Sequence, residues 1–357
     1  MSISTQQMPI DTGIGRKPEA TEVMENIDLS GKTAVVTGGY SGIGIETVRA
    51  LTNAGATVLV PSRDVERAIK TLEGIIPAEQ IGFMDLSDLP TVARYGKDLS
   101  SAYPVINLAI FNAGVMACPL DRTQQGLEWQ LGVNHVGHFA LLQQIINPLR
   151  AANGARLITL SSIAHRMGAV DFSDMNYDQR PYDKWQAYGQ AKSGQSLMAV
   201  ELDRREKGNG IRSFAVHPGG IFTALQRHLG NAEMAEFGWT DADGNPSAVA
   251  EKLFKSSSQG CATSLWAATA LSLNGVGGVY CEDCNISRVV PDDSNDFTGV
   301  RQWAVASDIA EQLWDETDRL LARLYSISIV SARGSSVEIT PRLKSLAKKT
   351  GAEAPVL

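Results

Sequence analysis

Short apolar runs rich in β-branched residues alternate with segments of helical length along most of this chain, and that alternation is what most limits its fold. The runs are residues 32–37, 57–60, 81–84, 105–111, 156–160, 211–216 and 278–280. Helical patterns such as 43–54, closed by Gly55, and 65–74 lie between them. Strands joined by helix-length crossovers run parallel and need both faces of their sheet covered. The predicted fold is therefore α/β, an open doubly wound parallel sheet in a single domain, with ligands outside the carboxyl ends of the strands. With 43% hydrophobic and 20% charged residues in 357, the chain has ample material for such a core.

The rhythm sets the expected boundaries. Residues 1–28 are polar, contain Pro and Gly, and read as a mobile leader; 29–290 form the sheet domain. From about Asp292 the alternation stops, and 291–330 read as a helical extension. Its main element is an amphipathic helix over 304–325 carrying Ile309, Leu313, Trp314, Leu320, Leu321 and Leu324. Residues 331–357 are Ser/Lys-rich, with Arg333, Arg342, Lys344, Lys348 and Lys349 against Glu338 and Glu353, and read as a solvated, disordered basic tail.

Thirty-two Lys and Arg against 39 Asp and Glu leave a net charge of −7, and no internal basic stripe offsets it, which argues against nucleic acid or anionic lipid as partner. No stretch of about 18 apolar residues is present to span a bilayer. The first 25 residues lack the apolar core of a secretory signal. Four cysteines suit a reducing compartment, so the expected location is cytoplasmic. No metal site is expected. Cys281-x-x-Cys284 has only the isolated Cys118 and Cys261 to complete a set of four, and His135, His138, His165 and His217 show no ligand spacing.

Thr37-Gly-Gly-Tyr-Ser-Gly-Ile-Gly44 lies between the first strand and its helix. Gly38, Gly42 and Gly44 allow a sharp turn and close approach of the backbone, including that of Ser41 and Ile43, to a pyrophosphate at the helix N-terminus. The loop lacks the Gly-Lys-Ser/Thr ending of phosphoryl-transfer enzymes. At the end of the second strand, Val60-Pro-Ser-Arg63 offers a guanidinium where an acidic residue would grip an NAD ribose, which favours NADP over NAD; an ion pair of Arg63 with Asp64 or Glu66 is the competing reading. Tyr188-Gly-Gln-Ala-Lys192 puts a phenol and an ammonium one helical turn apart. Tyrosine titrates near 10, and a neighbouring cation lowers that value toward the range useful for proton transfer. Ser161 and Ser162 end the fifth strand, where a hydroxyl can orient a carbonyl.

With those elements in this order, 29–284 resembles the short-chain dehydrogenases/reductases. Asn112-Ala113-Gly114, Asn134 within Val133-Asn-His-Val-Gly-His-Phe139, and Pro218-Gly219 add to the likeness. Leu160-Ser-Ser-Ile-Ala-His165 and Gly278-Val-Tyr-Cys-Glu-Asp-Cys284 resemble the retinol dehydrogenase and WW-domain oxidoreductase-like branch, and Tyr182-Asp-Lys-Trp-Gln-Ala-Tyr188 its bacterial and fungal members. The extra residues between Ser162 and Tyr188, 167–183, match an insertion of that branch.

The resemblance implies a Rossmann-type fold and a set of roles. Tyr188 is the general acid/base, Lys192 binds the nicotinamide ribose and lowers the tyrosine pKa, Ser162 orients the carbonyl, and Asn134 holds a relay water. Asp85 and Leu86 line the adenine pocket, Asn112 contacts a ribose, and Ile221 and Thr223 hold the carboxamide. A helix-bending Asn134 and an N-capping Asp85 are the plainer alternatives. The implied activity is NADPH-preferring interconversion of an alcohol with its aldehyde or ketone. The segment 219–247, with Ile221, Phe222, Leu225, Leu229, Met234, Phe237 and Trp239, reads either as core or as a lid over an apolar, fairly bulky small molecule. A catalytically weak NADP-binding regulator is the rival, and intact Ser162, Tyr188, Lys192 and Asn134 weigh against it. Retinol dehydrogenases of this branch often carry an N-terminal membrane anchor, and the polar leader departs from them. Homodimers or homotetramers through the long helices after strands four and five are the family expectation.

Overall fold

A computed structural model describes residues 1–241 and 243–332, with side chains as far as Ser326. Its strands are β1 (Thr33–Thr37), β2 (Thr57–Ser62), β3 (Ile81–Phe83), β4 (Leu108–Phe111), β5 (Ala155–Leu160), β6 (Ile211–His217), β7 (Val279–Glu282), β8 (Asn285–Ile286), β9 (Val289–Val290) and β10 (Val300–Arg301). The helices are α1 (Ala20–Val23), α2 (Ile43–Asn53), α3 (Val65–Thr71), α4 (Leu89–Ala102), α5 (Gly137–Ala151), α6 (Lys184–Glu206), α7 (Asn231–Glu236), α8 (Ala248–Leu253), α9 (Ser257–Thr269) and α10 (Ser307–Ala332).

The sheet order β3-β2-β1-β4-β5-β6-β7-β8 reverses direction of travel at β1, between β2 and β4, which makes the crevice above β1 and β4 the expected ligand position. Alternate residues of each strand serve opposite faces. Ala34, Val36, Val58, Ile110 and Phe214 join one core with α2 and α9, while Val35, Leu59, Ala109, Phe111 and Leu157 join the other with α4 and α5. Pairs β1 to β7 run parallel, as the periodicity predicts. The antiparallel β8, Cys281 facing Ile286, is too short to leave a pattern in the sequence.

Two expected boundaries change. The first 28 residues lie against the domain instead of forming a mobile leader. The buried Gln7 amide accepts from Tyr280 N at 2.8 Å and donates to Tyr280 O and Ser287 O, and Ile10 and Asn285 exchange two further bonds. Helix α1 then rests on α9. The C-terminal helix begins at Ser307, not Ala304, and runs to Ala332. Trp314 meets Phe139 of α5 edge-on at 4.7 Å, Thr317 bonds His135 at 2.9 Å, and Asp315 pairs with Arg205 of α6 at 2.9 Å. Helix α10 therefore covers a face of α5 and α6, the helices that the family resemblance offers for oligomerisation. Residues 333–357 of the expected basic tail lie outside the described residues.

Candidate active site

The β1–α2 turn is built for close approach to a bound group. Gly42, at φ 53° and ψ −132°, starts α2, and no side chain caps it. The amides of Gly42 and Ile43 donate to no other group among the described residues. A Cβ on Gly44 would overlap the Gly38 carbonyl oxygen and sit 2.8 Å from Asn112 Nδ2, so only glycine fits. Asn112 Nδ2 donates to Thr37 O at 3.0 Å and Gly38 O at 3.2 Å, tying β4 to the turn, and its Oδ1 is buried without a partner.

Behind the turn runs a proton-ordered chain. His138 Nδ1 bonds the Asn134 carbonyl at 2.8 Å, so Nδ1 carries the hydrogen and Nε2 accepts from Thr37 Oγ1 at 2.9 Å. Thr37 Oγ1 in turn accepts from Ala113 N at 3.0 Å. Burial holds His138 down to about 3, so it is neutral. His165 is fixed in the same way: Nδ1 donates to Ser162 O at 2.7 Å and Nε2 accepts from Arg301 N at 3.0 Å. Both histidines hold main chain in place.

Asn134 sits in a π-helical turn, Leu131–Val136, that leads into α5. Its side chain is spent on Val115, accepting from N at 2.8 Å and donating to O at 2.9 Å. One N–H and one lone pair of that amide are thereby used, and the relay water remains what the resemblance implies. Asn134 positions the Gly114–Val115 backbone, and its own carbonyl accepts from His138 Nδ1.

Helix α6 begins at Asp183, whose carboxylate accepts from the amides of Trp185 and Gln186. One turn on, Tyr188 and Lys192 enter the cavity, both buried. The two serines diverge. Ser161 donates to Lys192 O at 2.8 Å and is consumed by the helix, whereas Ser162 accepts from Ala164 N at 3.1 Å and faces Tyr188 closely enough to favour its phenolate. Lys192 Nζ donates to Leu160 O and Gln195 Oε1, both at 2.7 Å. Burial pushes the Tyr188 phenol above its ordinary value, opposed by Ser162, and pushes Lys192 down to about 7. The lowered phenol expected from Lys192 is thus not supplied by these side chains alone.

One cavity of about 1070 Å³ joins these parts. Gly38, Ser41, Gly42 and Ile43 line it together with Asn112, Ala113, Gly114, Ser162, Tyr188 and Lys192. Asp85, Leu86, Pro218, Gly219, Ile221 and Thr223 line it as well. Gly44 stands behind the turn. Asp85 is no helix cap: its Oδ1 accepts from Ser87 N at 2.9 Å and Ser87 Oγ at 2.7 Å. Thr223 lies over the turn, its Cγ2 3.3 Å from where a Cβ on Gly42 would stand. Arg63 is exposed at the rim and forms no ion pair with Asp64 or Glu66; the Asp64 carboxylate caps α3 through Arg67 N instead.

Sequence reasoning missed Arg16 and Lys17, which the docked leader brings to the cavity lining. Arg16 pairs with Asp283 at 2.9 Å, and Lys17 has no carboxylate partner among the described residues. No periodicity signals a contact made by a leader. The apolar series after Gly219 is divided. Leu225, Leu229, Met234 and Trp239 gather with Trp185 around Tyr188, while Phe222 is exposed and meets Phe254 at a tilt.

The unpartnered amides at the α2 N-terminus and the lone buried Asn112 acceptor fit a dinucleotide's phosphates and ribose hydroxyls. A doubly wound sheet with such a turn facing a Ser–Tyr–Lys cluster defines a nucleotide-dependent oxidoreductase. Known proteins agree. The family model described as short chain dehydrogenase matches residues 32–234. A probable oxidoreductase of Streptomyces lividans is 39% identical over 297 residues, 81% of this chain and 97% of that protein. Retinol dehydrogenase 12 of Mus musculus is 34% identical, with 81% and 90% covered. A crystal structure of an uncharacterized Mycobacterium paratuberculosis protein superposes with a TM-score of 0.63 at 28% identity, covering 83% of this chain and 96% of that one. The chain belongs to the short-chain dehydrogenase/reductase family, in a retinol dehydrogenase-like branch. That family binds a nicotinamide cofactor and acts on CH–OH groups as an oxidoreductase.

Proposed function

We propose that this chain interconverts an alcohol with its aldehyde or ketone on an apolar, fairly bulky small molecule, using NADP in preference to NAD. The carrying observation is that Ser162, Tyr188 and Lys192 open into the same cavity as the glycine turn. The bound nicotinamide supplies or accepts the hydride. Gly42 and Ile43 amides hold the pyrophosphate, Asn112 Oδ1 accepts from a ribose hydroxyl, and Arg63 faces the 2′-phosphate. Asp85 and Leu86 border the adenine, and Ile221 and Thr223 the carboxamide.

Ser162, held by Ala164 N, donates to the carbonyl oxygen. Tyr188 gives its proton to that oxygen in reduction and takes it back in oxidation. Lys192, titrating near neutrality, binds the ribose and adds its charge beside the phenol. The segment 219–247 acts as the substrate lid. Buried, unpaired thiols at Cys118, Cys261, Cys281 and Cys284 are consistent with the cytoplasm. Titration with NADPH and NADH, followed by a panel of apolar aldehydes and ketones, tests the reading: NADPH binding tighter, with carbonyl-driven oxidation, supports it; tight binding without any turnover favours a regulator.

A further inference from the structure

Glu233 is the point at which the segment over the active site is fastened. It lies in the first turn of α7, a six-residue helix with no buried residue. Its two carboxylate oxygens serve neighbouring residues at the start of the catalytic helix. Oε1 accepts from the indole N–H of Trp185 at 2.8 Å, and Oε2 accepts from Lys184 Nζ at 2.7 Å. Burial raises the carboxyl's pKa, but these two bonds and the lysine charge outweigh it, so the group is held below its ordinary value and stays ionised. Among the described residues, no other hydrogen bond or ion pair joins 230–240 to α6 or the sheet.

The indole that Glu233 grips stands between the lid and Tyr188. Trp185 meets the Tyr188 ring edge-on, with centroids 6.3 Å apart and an interplanar angle of 74°. It also meets Phe237 edge-on at 4.9 Å, and Phe237 stacks on Trp239 at 5.2 Å. Trp185 cannot rotate without giving up its N–H bond. Because that N–H points at Glu233, the wall contributes ring faces and edges to the cavity and little polarity.

We propose that Glu233 is a positioning residue: its grip on Trp185 and Lys184 holds the wall of Trp185, Phe237 and Trp239 in place over Tyr188, and so sets a preference for bulky aryl carbonyls over small ones. The proposal rests on the carbonyl-reductase reading of the site. Charge-assisted hydrogen bonds of this kind shift a closed-to-open equilibrium by about tenfold or more.

The test uses the full chain, Glu233→Ala and Glu233→Gln, with NADPH and two probes, 2-acetonaphthone and propanal. Glu233→Ala should raise KM for the naphthyl ketone about tenfold while kcat changes less than about threefold and KM for propanal less than about twofold. Glu233→Gln, which keeps an acceptor for the indole but no charge for Lys184, should fall between. Chymotryptic cleavage at Phe237 and Trp239 reads the same latch without turnover, and should quicken several-fold in Glu233→Ala. An unchanged ratio of the two KM values, or unchanged cleavage in a natively folded variant, overturns the proposal. If the wild type reduces no carbonyl, the functional reading fails, and cleavage alone still decides the latch. Should Glu233→Ala not fold, Lys184→Met removes one arm and should show the intermediate cleavage rate; no change there overturns it equally.

Discussion

The Lys192 ammonium stands 5.6 Å from the centre of the Tyr188 ring and spends two hydrogen bonds on Leu160 O and Gln195 Oε1. It is thereby buried as a cation with neutral partners, and burial lowers its pKa from 10.5 to about 7. Below that value folded and unfolded chains both hold the proton, and the full cost of burying the charge is felt. Between about 7 and 10.5 the unfolded chain binds more protons, so stability rises with pH. Denaturant titrations of the free protein at pH 7, 8 and 9 should show the wild type gaining on Lys192→Met by up to about 1.4 kcal/mol per pH unit. Parallel curves would contradict a depressed lysine.

Arg63, at the end of β2, lines the cavity rim and has no carboxylate partner among the described residues. Arg63→Ala should weaken NADPH binding about tenfold and NADH binding less than about twofold, since a guanidinium–phosphate contact is lost only for the former. Because the side chain is exposed, the difference should shrink at high salt. Equal losses for the two cofactors in fluorescence titrations would remove Arg63 from the 2′-phosphate site.

Helix α10 changes the oligomeric expectation. With Trp314 against Phe139, Thr317 on His135 and Asp315 on Arg205, a face of α5 and α6 is already occupied by the chain itself, while α1 rests on α9. Light scattering after size exclusion should give the 38.3 kDa of one chain. A stable dimer at micromolar concentration would show that another surface associates.

The legible part of this fold is the part governed by local periods. Strands β1 to β7 alternate between two cores, as Val35 and Val36 do, and their runs stand out at nearly the observed boundaries. The glycine turn and the Tyr188–Lys192 pair were legible for the same reason, since each needs particular residue types at fixed spacing. Contacts between distant segments left no such mark. Gln7 completes hydrogen bonds of Tyr280 and Ser287 through one side chain, and Glu233 reaches Lys184 and Trp185 from a segment about 50 residues away in sequence. The roles of Ser161 and Ser162 were inseparable in sequence. They part because successive residues at a strand end face opposite sides, so that one meets Lys192 O and the other Tyr188. Asn134 was found by its motif, but its duty toward Val115 depends on the π-turn that aims it.

The proposed role of Tyr188 is to move the proton in hydride exchange at a carbonyl. It is tested most directly by following NADPH absorbance with an aryl ketone for the wild type and Tyr188→Phe, alongside NADPH binding to each. The variant should bind NADPH within about threefold of the wild type but lose about 10²–10⁴-fold in kcat/KM. A variant that turns over at the wild-type rate would contradict it.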